Sequence, residues 1–167
     1  MSEEWSISPA AESDWPGIWN IFRDVISRGD TYTYAPDMTE EQAQNIWIHN
    51  NCHGYVVKHG DRIVGTFTIR SNKPGFGDHV ANAGYMVHKD YRGKGIAQAM
   101  CRASLKEAKR LGYSAMQFNF VVATNEAAVK LWQKMGFKII GTVPKAFRHS
   151  QLGLTDVHIM YRSLEDI

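Results

Sequence analysis

Met86-Val87-His88-Lys89-Asp90-Tyr91-Arg92-Gly93-Lys94-Gly95-Ile96-Ala97 is the most informative stretch of the chain, reading as a strand that runs through a glycine turn into a helix. Gly93 and Gly95 let the backbone turn tightly and meet a ligand with no Cβ in the way. A helix that starts there aims unpaired N–H groups and the positive end of its dipole at the turn. Arg92 and Lys94 add charge, so the turn is an anion site and a diphosphate is its natural guest.

Three guests carry a diphosphate. A nicotinamide dinucleotide wants G-x-G-x-x-G, but Gln98 stands at the third glycine position. It also wants an acid about 20 residues on, where the chain reads Tyr113-Ser114-Ala115-Met116. A nucleoside triphosphate wants G-x-x-x-x-G-K-[S/T], which is absent. Coenzyme A is the third, its pyrophosphate on such a turn and its pantetheine arm along the preceding strand.

Working outward, residues 80–87 read as a strand and residues 95–111 as a helix stopped by Gly112, with Ala97, Met100, Cys101, Ser104, Ala108 and Leu111 on one face. Residues 115–122 are β-rich, and Ala128, Leu131, Trp132 and Met135 mark a short helix ending at Gly136. Upstream, a short strand at 5–8 precedes Ser13, taken as the N-cap of a helix whose stripe is Ile18, Ile21, Phe22, Val25 and Ile26. A polar and aromatic loop, 29–37, leads to Thr39 and Gln42, a capping box for a second helix through Ile46 and Trp47. Strands at 55–58 and 62–69 form a hairpin, followed by a loop at 71–79. Two last strands, 137–143 and 155–161, flank a loop. The order β-α-α-β-β-β-α-β-α-β-β predicts an α/β fold. Its sheet is mixed and mostly antiparallel, with a central parallel β-α-β unit over 80–122 and helices on both faces.

A chain of 167 residues, 44% hydrophobic and 22% charged, fits one globular domain over 1–167. A formal charge of +2 without a Lys/Arg-rich run argues against a nucleic-acid partner, although basic residues gather between Lys89 and Lys134. Cys52 and Cys101 form no C-x-x-C pair, which argues against a zinc site or disulfide framework, and Cys101 reads as a buried apolar residue. The start, Met1-Ser2-Glu3-Glu4-Trp5, is acidic without an apolar core, and no stretch approaches the 18–20 residues of a membrane span. No membrane partner and a reducing, cytoplasmic setting are the expectations.

Arg92-Gly93-Lys94-Gly95-Ile96-Ala97 resembles the Q/R-x-x-G-x-G/A signature of the GNAT superfamily of N-acetyltransferases. The segment from Asn125 to Phe137 resembles the same family's N-x-x-A-x-x-L-Y-x-K-x-G-F pattern in all but the tyrosine, where Trp132 stands. The two motifs lie about 30 residues apart in the family's element order. The resemblance implies acetyl-CoA as co-substrate, with its pyrophosphate held by Arg92, Gly93, Lys94, Gly95, Ile96 and Ala97. It implies that Met86 and Val87 pair with pantetheine where the neighbouring strand splays away, and that Asn125 reaches the cofactor's arm or the reaction centre. Lys130 and Lys134 either meet the phosphates or are solvated helix lysines. A homodimer is common among domains that resemble this one.

Two departures bear on chemistry. Where many family members place a basic glutamate, the stretch Ala81-Asn82-Ala83-Gly84-Tyr85 has Asn82, which orients a water or an amine but takes no proton at neutral pH. Where the family has an acidic tyrosine, Trp132 offers only an indole N–H. Catalysis survives both losses. A thiol of pKa about 8.5 leaves tolerably as thiolate, positioning supplies much of the rate, and a backbone N–H at Met86 or Val87 meets the oxyanion.

Asn119 stands in an otherwise apolar strand, where an unpaired amide is costly to bury, and is either a satisfied structural group or a substrate group. Asn82, Asn119 and Asn125 together resemble the GNAT branch that acetylates L-azetidine-2-carboxylate and proline analogues. A small, amino-acid-like amine is the expected acceptor. Tyr32 and Tyr34 either wall its pocket or cover the core. Arg148 and His149 either bind an acceptor carboxylate or stand exposed, and His158 is left between surface and pocket. The alternatives are a protein or peptide N-acetyltransferase and a silent CoA-binding sensor.

Overall fold

A computed structural model describes residues 4–167, so Met1 to Glu3 of the acidic start lie outside the described residues. Seven strands form one sheet: β1 (Ser6–Pro9), β2 (His53–His59), β3 (Arg62–Ser71), β4 (Val80–Val87), β5 (Ala115–Val122), β6 (Lys138–His149) and β7 (Gly153–Ser163). Their order is β1-β2-β3-β4-β5-β7-β6, and every pairing is antiparallel except β4 with β5. Helices α1 (Trp15–Ser27) and α2 (Glu40–Trp47) cover one face, and α3 (Ile96–Arg110) and α4 (Glu126–Lys134) the other. The expected mixed α/β architecture is therefore observed, strand for strand.

Period-2 alternation along β3 and β4 divides the core in two. Phe67, Ile69 and Ala81 pack with Met100, Cys101 and Leu105 of α3, while Val56 and Met86 pack with Ile18, Phe22 and Trp47 of the α1 and α2 layer. The layers are tied by buried polar bonds as well. Trp47 Nε1 donates to Thr66 Oγ1 at 2.9 Å, and that hydroxyl donates onward to the Tyr55 carbonyl at 2.8 Å.

The Thr39 box forms as the sequence dictates. Thr39 Oγ1 accepts from Gln42 N–H at 3.2 Å, and Gln42 Oε1 accepts from Thr39 N–H at 3.0 Å. Thr39→Ala removes half of this exchange and is expected to lower stability by about 1 kcal/mol, readable as a fall in urea midpoint at unchanged slope. The first helix starts differently from expectation. Ser13 lies within a one-turn 3-10 segment (Glu12–Asp14), and Asp14 is the residue that precedes α1. Its carboxylate accepts from Ala11 N–H at 2.8 Å and pairs with Lys58 of β2 at 2.8 Å, which fixes the helix start to the sheet.

The last two strands are much longer than expected. The segment read as a loop belongs to β6 and β7, interrupted by register shifts at Ile139/Gly141 and Val143/Phe147. Lys145 (φ 53°) sits at the second shift, where its N–H donates to Asp156 Oδ1 at 3.0 Å. The tip of this hairpin reaches the loop between α1 and α2. Ser150 N–H donates to the Gly29 carbonyl at 2.9 Å, and Ser150 Oγ to the Arg28 carbonyl at 2.7 Å. No helix among the described residues is long and apolar enough to cross a membrane.

Candidate active site

β4 and β5 touch only at Val80–Ala115 and Ala81–Met116, and then part. Beyond that point β5 bends: its register with β7 slips between Phe118 and Val121. A wedge opens between the two strands, and it has consequences for β4. His88 N–H donates to the Val64 carbonyl at 2.9 Å, so antiparallel alternation turns the backbone groups of Met86 and Gly84 toward β3. Ala83, Tyr85 and Val87 then aim theirs into the wedge.

Side chains fill two of these three places. Asn82 Oδ1 accepts from Ala83 N–H at 2.8 Å. The Tyr32 hydroxyl accepts from Tyr85 N–H at 2.8 Å and donates to the Tyr85 carbonyl at 2.9 Å. Val87 faces the wedge with no side chain among the described residues bonded to its backbone groups. The expectation that Met86 offers backbone groups there is corrected by the alternation: Met86 bonds to β3, and its side chain is buried among α1 and α2.

A cavity of about 790 Å³ runs through the wedge, a volume suited to a small-molecule site. At one end lies the glycine turn. Gly93 (φ 74°) and Gly95 (φ 86°) are left-handed, and Gly95 is the N-cap of α3. Arg92, Gly93, Gly95, Ile96 and Ala97 line the cavity, joined by Gln98, which the sequence reading did not single out. The first-turn N–H groups of this 15-residue helix have no intrahelical acceptor, as an anion site requires. Arg92 pairs with Asp24 of α1 at 3.3 Å, and Lys94 lies over the Tyr91 ring, 5.1 Å from its centroid, rather than along the cavity.

The start of the turn rests on His88, which is 7% exposed and whose Nδ1 accepts from Asp90 N–H at 3.1 Å. Burial pushes its imidazole below the ordinary value, and nearby Arg62 adds to this while Asp90 opposes it. A depressed folded-state pKa means that this stabilisation is complete above the unfolded value of about 6.5 and is lost as pH falls through the folded one. The expected result is a fall in Tm between about pH 7 and pH 5 that is shallower in His88→Asn, whose amide still accepts the Asp90 N–H without titrating. Equal slopes for the two proteins would remove His88 as the cause.

At the other end of the cavity, Tyr32 and Tyr34 stack on each other, 5.6 Å between centroids, and Tyr34 stacks on Phe22 at 5.6 Å. The two tyrosines thus pack on the core and line the cavity at once. Burial, the largest cause, raises the Tyr32 phenol well above its ordinary pKa, so it acts as a neutral hydroxyl. Asn82, Asn119 and Asn125 all line the cavity. Each is also engaged by protein: Asn125 Oδ1 caps α4 at Ala128 N–H (3.4 Å), and Asn119 bonds Asn72 at 2.6 Å and Gln117 at 2.9 Å. Asn119 is exposed at the β5 bulge rather than buried in an apolar strand as expected, so its amide carries no burial cost.

Trp132 forms the opposite wall, 4.9 Å from the Tyr85 ring and 5.2 Å from Phe118. Lys130 and Lys134 stand on the exposed face of α4 and do not line the cavity, Lys134 Nζ reaching Gln98 Oε1 at 3.4 Å. Arg148, His149 and His158 lie outside it too: Nδ1 of His149 accepts from Gln151 and Leu152 N–H in the hairpin turn, and His158 bonds Thr142 at 2.8 Å. Arg28, Asp30, Thr68 and Arg70 line the cavity as well, and little in the sequence marks them because the chain segments that carry them meet only on folding.

Comparison with known proteins agrees with this geometry. A GCN5-related N-acetyltransferase from Kribbella flavida superposes with a TM-score of 0.93 at 41% identity, covering 98% of this chain and 99% of that one. N-acetyltransferase aca1 of Schizosaccharomyces pombe is 35% identical over 108 residues, 62% of this chain and 52% of the relative. The L-methionine sulfoximine/L-methionine sulfone acetyltransferase of Pseudomonas aeruginosa is 27% identical over 149 residues, 84% of each chain. The chain spans 52%, 28% and 38% of the length of the first three curated relatives it matches, about half or less. A sequence model of the acetyltransferase (GNAT) family matches residues 15–137, and with the turn, the wedge and the strand order in place, the chain belongs to that family.

Proposed function

We propose that the protein transfers the acetyl group of acetyl-CoA to the nitrogen of a small, amino-acid-like amine. The observation that carries this reading is the single cavity joining a glycine-capped helix start, an open β4 edge and a polar, aromatic far end. Pyrophosphate sits on the first-turn N–H groups of α3, beside Gly93 and Gly95. Pantetheine runs along β4 and bonds the N–H and C=O of Val87. The thioester carbonyl takes Tyr85 N–H, so the Tyr32 hydroxyl, which holds that group in the free protein, gives way to it.

The amine arrives from the Tyr34 and Asn82 side. Its lone pair forms the C–N bond, Tyr85 N–H stabilises the developing oxyanion, the C–S bond breaks and CoA leaves as thiolate. A thiolate near its ordinary pKa of about 8.5 takes up the proton released by the nitrogen, which is why Trp132 in place of an acid is tolerable. Asn82 and Asn119 orient the amine or a relay water. Azetidine-2-carboxylate and other proline analogues are the acceptors favoured by the three-asparagine wall. The relative from Pseudomonas aeruginosa, which acts on amino-acid derivatives by its name, agrees with an acceptor of this size.

The test is free-thiol release from acetyl-CoA with azetidine-2-carboxylate, proline-like and ordinary amino acids, polyamines and peptides. Release with the small amino-acid class is expected. Release with peptides alone, or silence while CoA is seen to bind, contradicts the reading.

A further inference from the structure

The far end of the cavity holds polar groups whose hydrogen bonding the described residues leave incomplete. Arg70 stands on β3 directly opposite Asn82 and lines the cavity. Its guanidinium has five donors, and the protein meets them only weakly, through a long 3.4 Å bond to the Ile46 carbonyl and the neighbouring Tyr34 and Cys52 side chains. No carboxylate among the described residues lies within ion-pair distance of it. A half-buried guanidinium beside aromatic rings without a counter-ion is costly unless an anion completes it.

Three buried side-chain atoms lack a hydrogen-bond partner among the described residues: Arg28 Nε, Asp30 Oδ1 and Thr68 Oγ1. All three residues line this same cavity, whereas nearly all buried polar atoms elsewhere are satisfied. Thr68 is two residues from Arg70 on the same face of β3, and Asp30 is two residues before Tyr32. An anion partner and an acid thus line the cavity that holds the Tyr85 backbone, which lies three residues along β4 from Asn82, about 10 Å of strand. The glycine turn is too far for this guanidinium to serve the cofactor's phosphates, since Asn82 and His88 are six residues apart, about 20 Å.

We propose that the acceptor is an amino acid, zwitterionic in solution: Arg70 holds its carboxylate while Asp30 accepts a hydrogen bond from its amine, which gives its ammonium proton to water before it attacks. This rests on the acetyl-transfer reading above and adds the chemistry of the acceptor subsite. The Asn82 amide, on the rung opposite Arg70, adds a donor to the same carboxylate, and Thr68 gains its missing partner from the ligand or a water beside it. A guanidinium and a carboxyl group lining one cavity select molecules that carry both partner groups a few bonds apart and discriminate against polyamines and decarboxylated amines.

The test compares azetidine-2-carboxylate and proline with their primary amides, by thiol release and by calorimetric titration into the CoA-loaded protein. Wild-type protein is expected to bind and acetylate the acids, and to bind the amides about 10- to 100-fold more weakly. Arg70→Gln removes that preference by raising KM for the acids at little change in acetyl-CoA affinity, and Arg70→Lys restores part of it. Thermal melts of each variant separate a lost subsite from a lost fold. Acids and amides used alike, or Arg70→Gln weakening both equally, overturns the subsite and leaves acetyl transfer to small amines standing. Acetylation confined to amines that lack a carboxylate overturns the subsite and the amino-acid-like acceptor together.

Discussion

Gly95→Val is expected to weaken acetyl-CoA binding at least about 100-fold, roughly 3 kcal/mol, while the protein stays folded. The two halves of that expectation come from different features of one residue. A Cβ at position 95 would meet no atom within 4 Å, so the substitution creates no clash inside the protein. The backbone there is left-handed (φ 86°), which a β-branched residue adopts only at a cost of about 1–2 kcal/mol. That strain lowers Tm modestly or is relieved by shifting the first turn of α3, the turn whose N–H groups hold the pyrophosphate. The open space that tolerates the new side chain is also the space the phosphates need. Calorimetric titration with acetyl-CoA beside a thermal melt reads both effects. Unchanged affinity in a folded variant would remove the turn from the binding site.

Tyr32→Phe is expected to do two opposite things. In the free protein it strands Tyr85 N–H and C=O in the wedge, lowering stability by about 1–2 kcal/mol. In the complex the thioester carbonyl already occupies that N–H, so the variant loses little there. The cycle closes only if acetyl-CoA binds the variant more tightly, by about 5- to 30-fold. The sign makes this informative: a phenol that simply contacted the ligand would weaken binding on removal. Paired urea titrations with and without saturating acetyl-CoA measure both legs. Weaker binding by Tyr32→Phe would show that its hydroxyl supports the bound thioester rather than reserving its place.

The central β-α-β unit was legible because its signals are local. Glycines at 93, 95 and 112 punctuate it, and the apolar stripe of α3 faces a strand that is buried as its pattern says. The long β6–β7 hairpin was not legible, since most of β6 is exposed on both faces and therefore shows no alternation. Its register shifts at Gly141 and around Lys145 broke the pattern further. Among site residues, the turn was legible from spacing. Asn82 and Asn119 were visible as polar residues in their strands, but their side-chain partners were not: Ala83 N–H depends on the Asn82 rotamer, and Asn72 is brought to Asn119 from 47 residues away only on folding. Arg70 and Asp30 carried little signal. An arginine at a strand end and an aspartate after a glycine are ordinary until the cavity brings them together.

The central claim is that acetyl-CoA occupies the wedge between β4 and β5 with its pyrophosphate on the start of α3. Backbone amide resonances followed during titration with acetyl-CoA test it most directly. The largest shifts are predicted at Gly93, Gly95, Ile96, Ala97 and Gln98, and at Tyr85 and Val87 on β4, with Met86 and Gly84 moving less because their N–H groups stay bonded to β3. Shifts centred elsewhere, or equal along all of β4, would contradict the account.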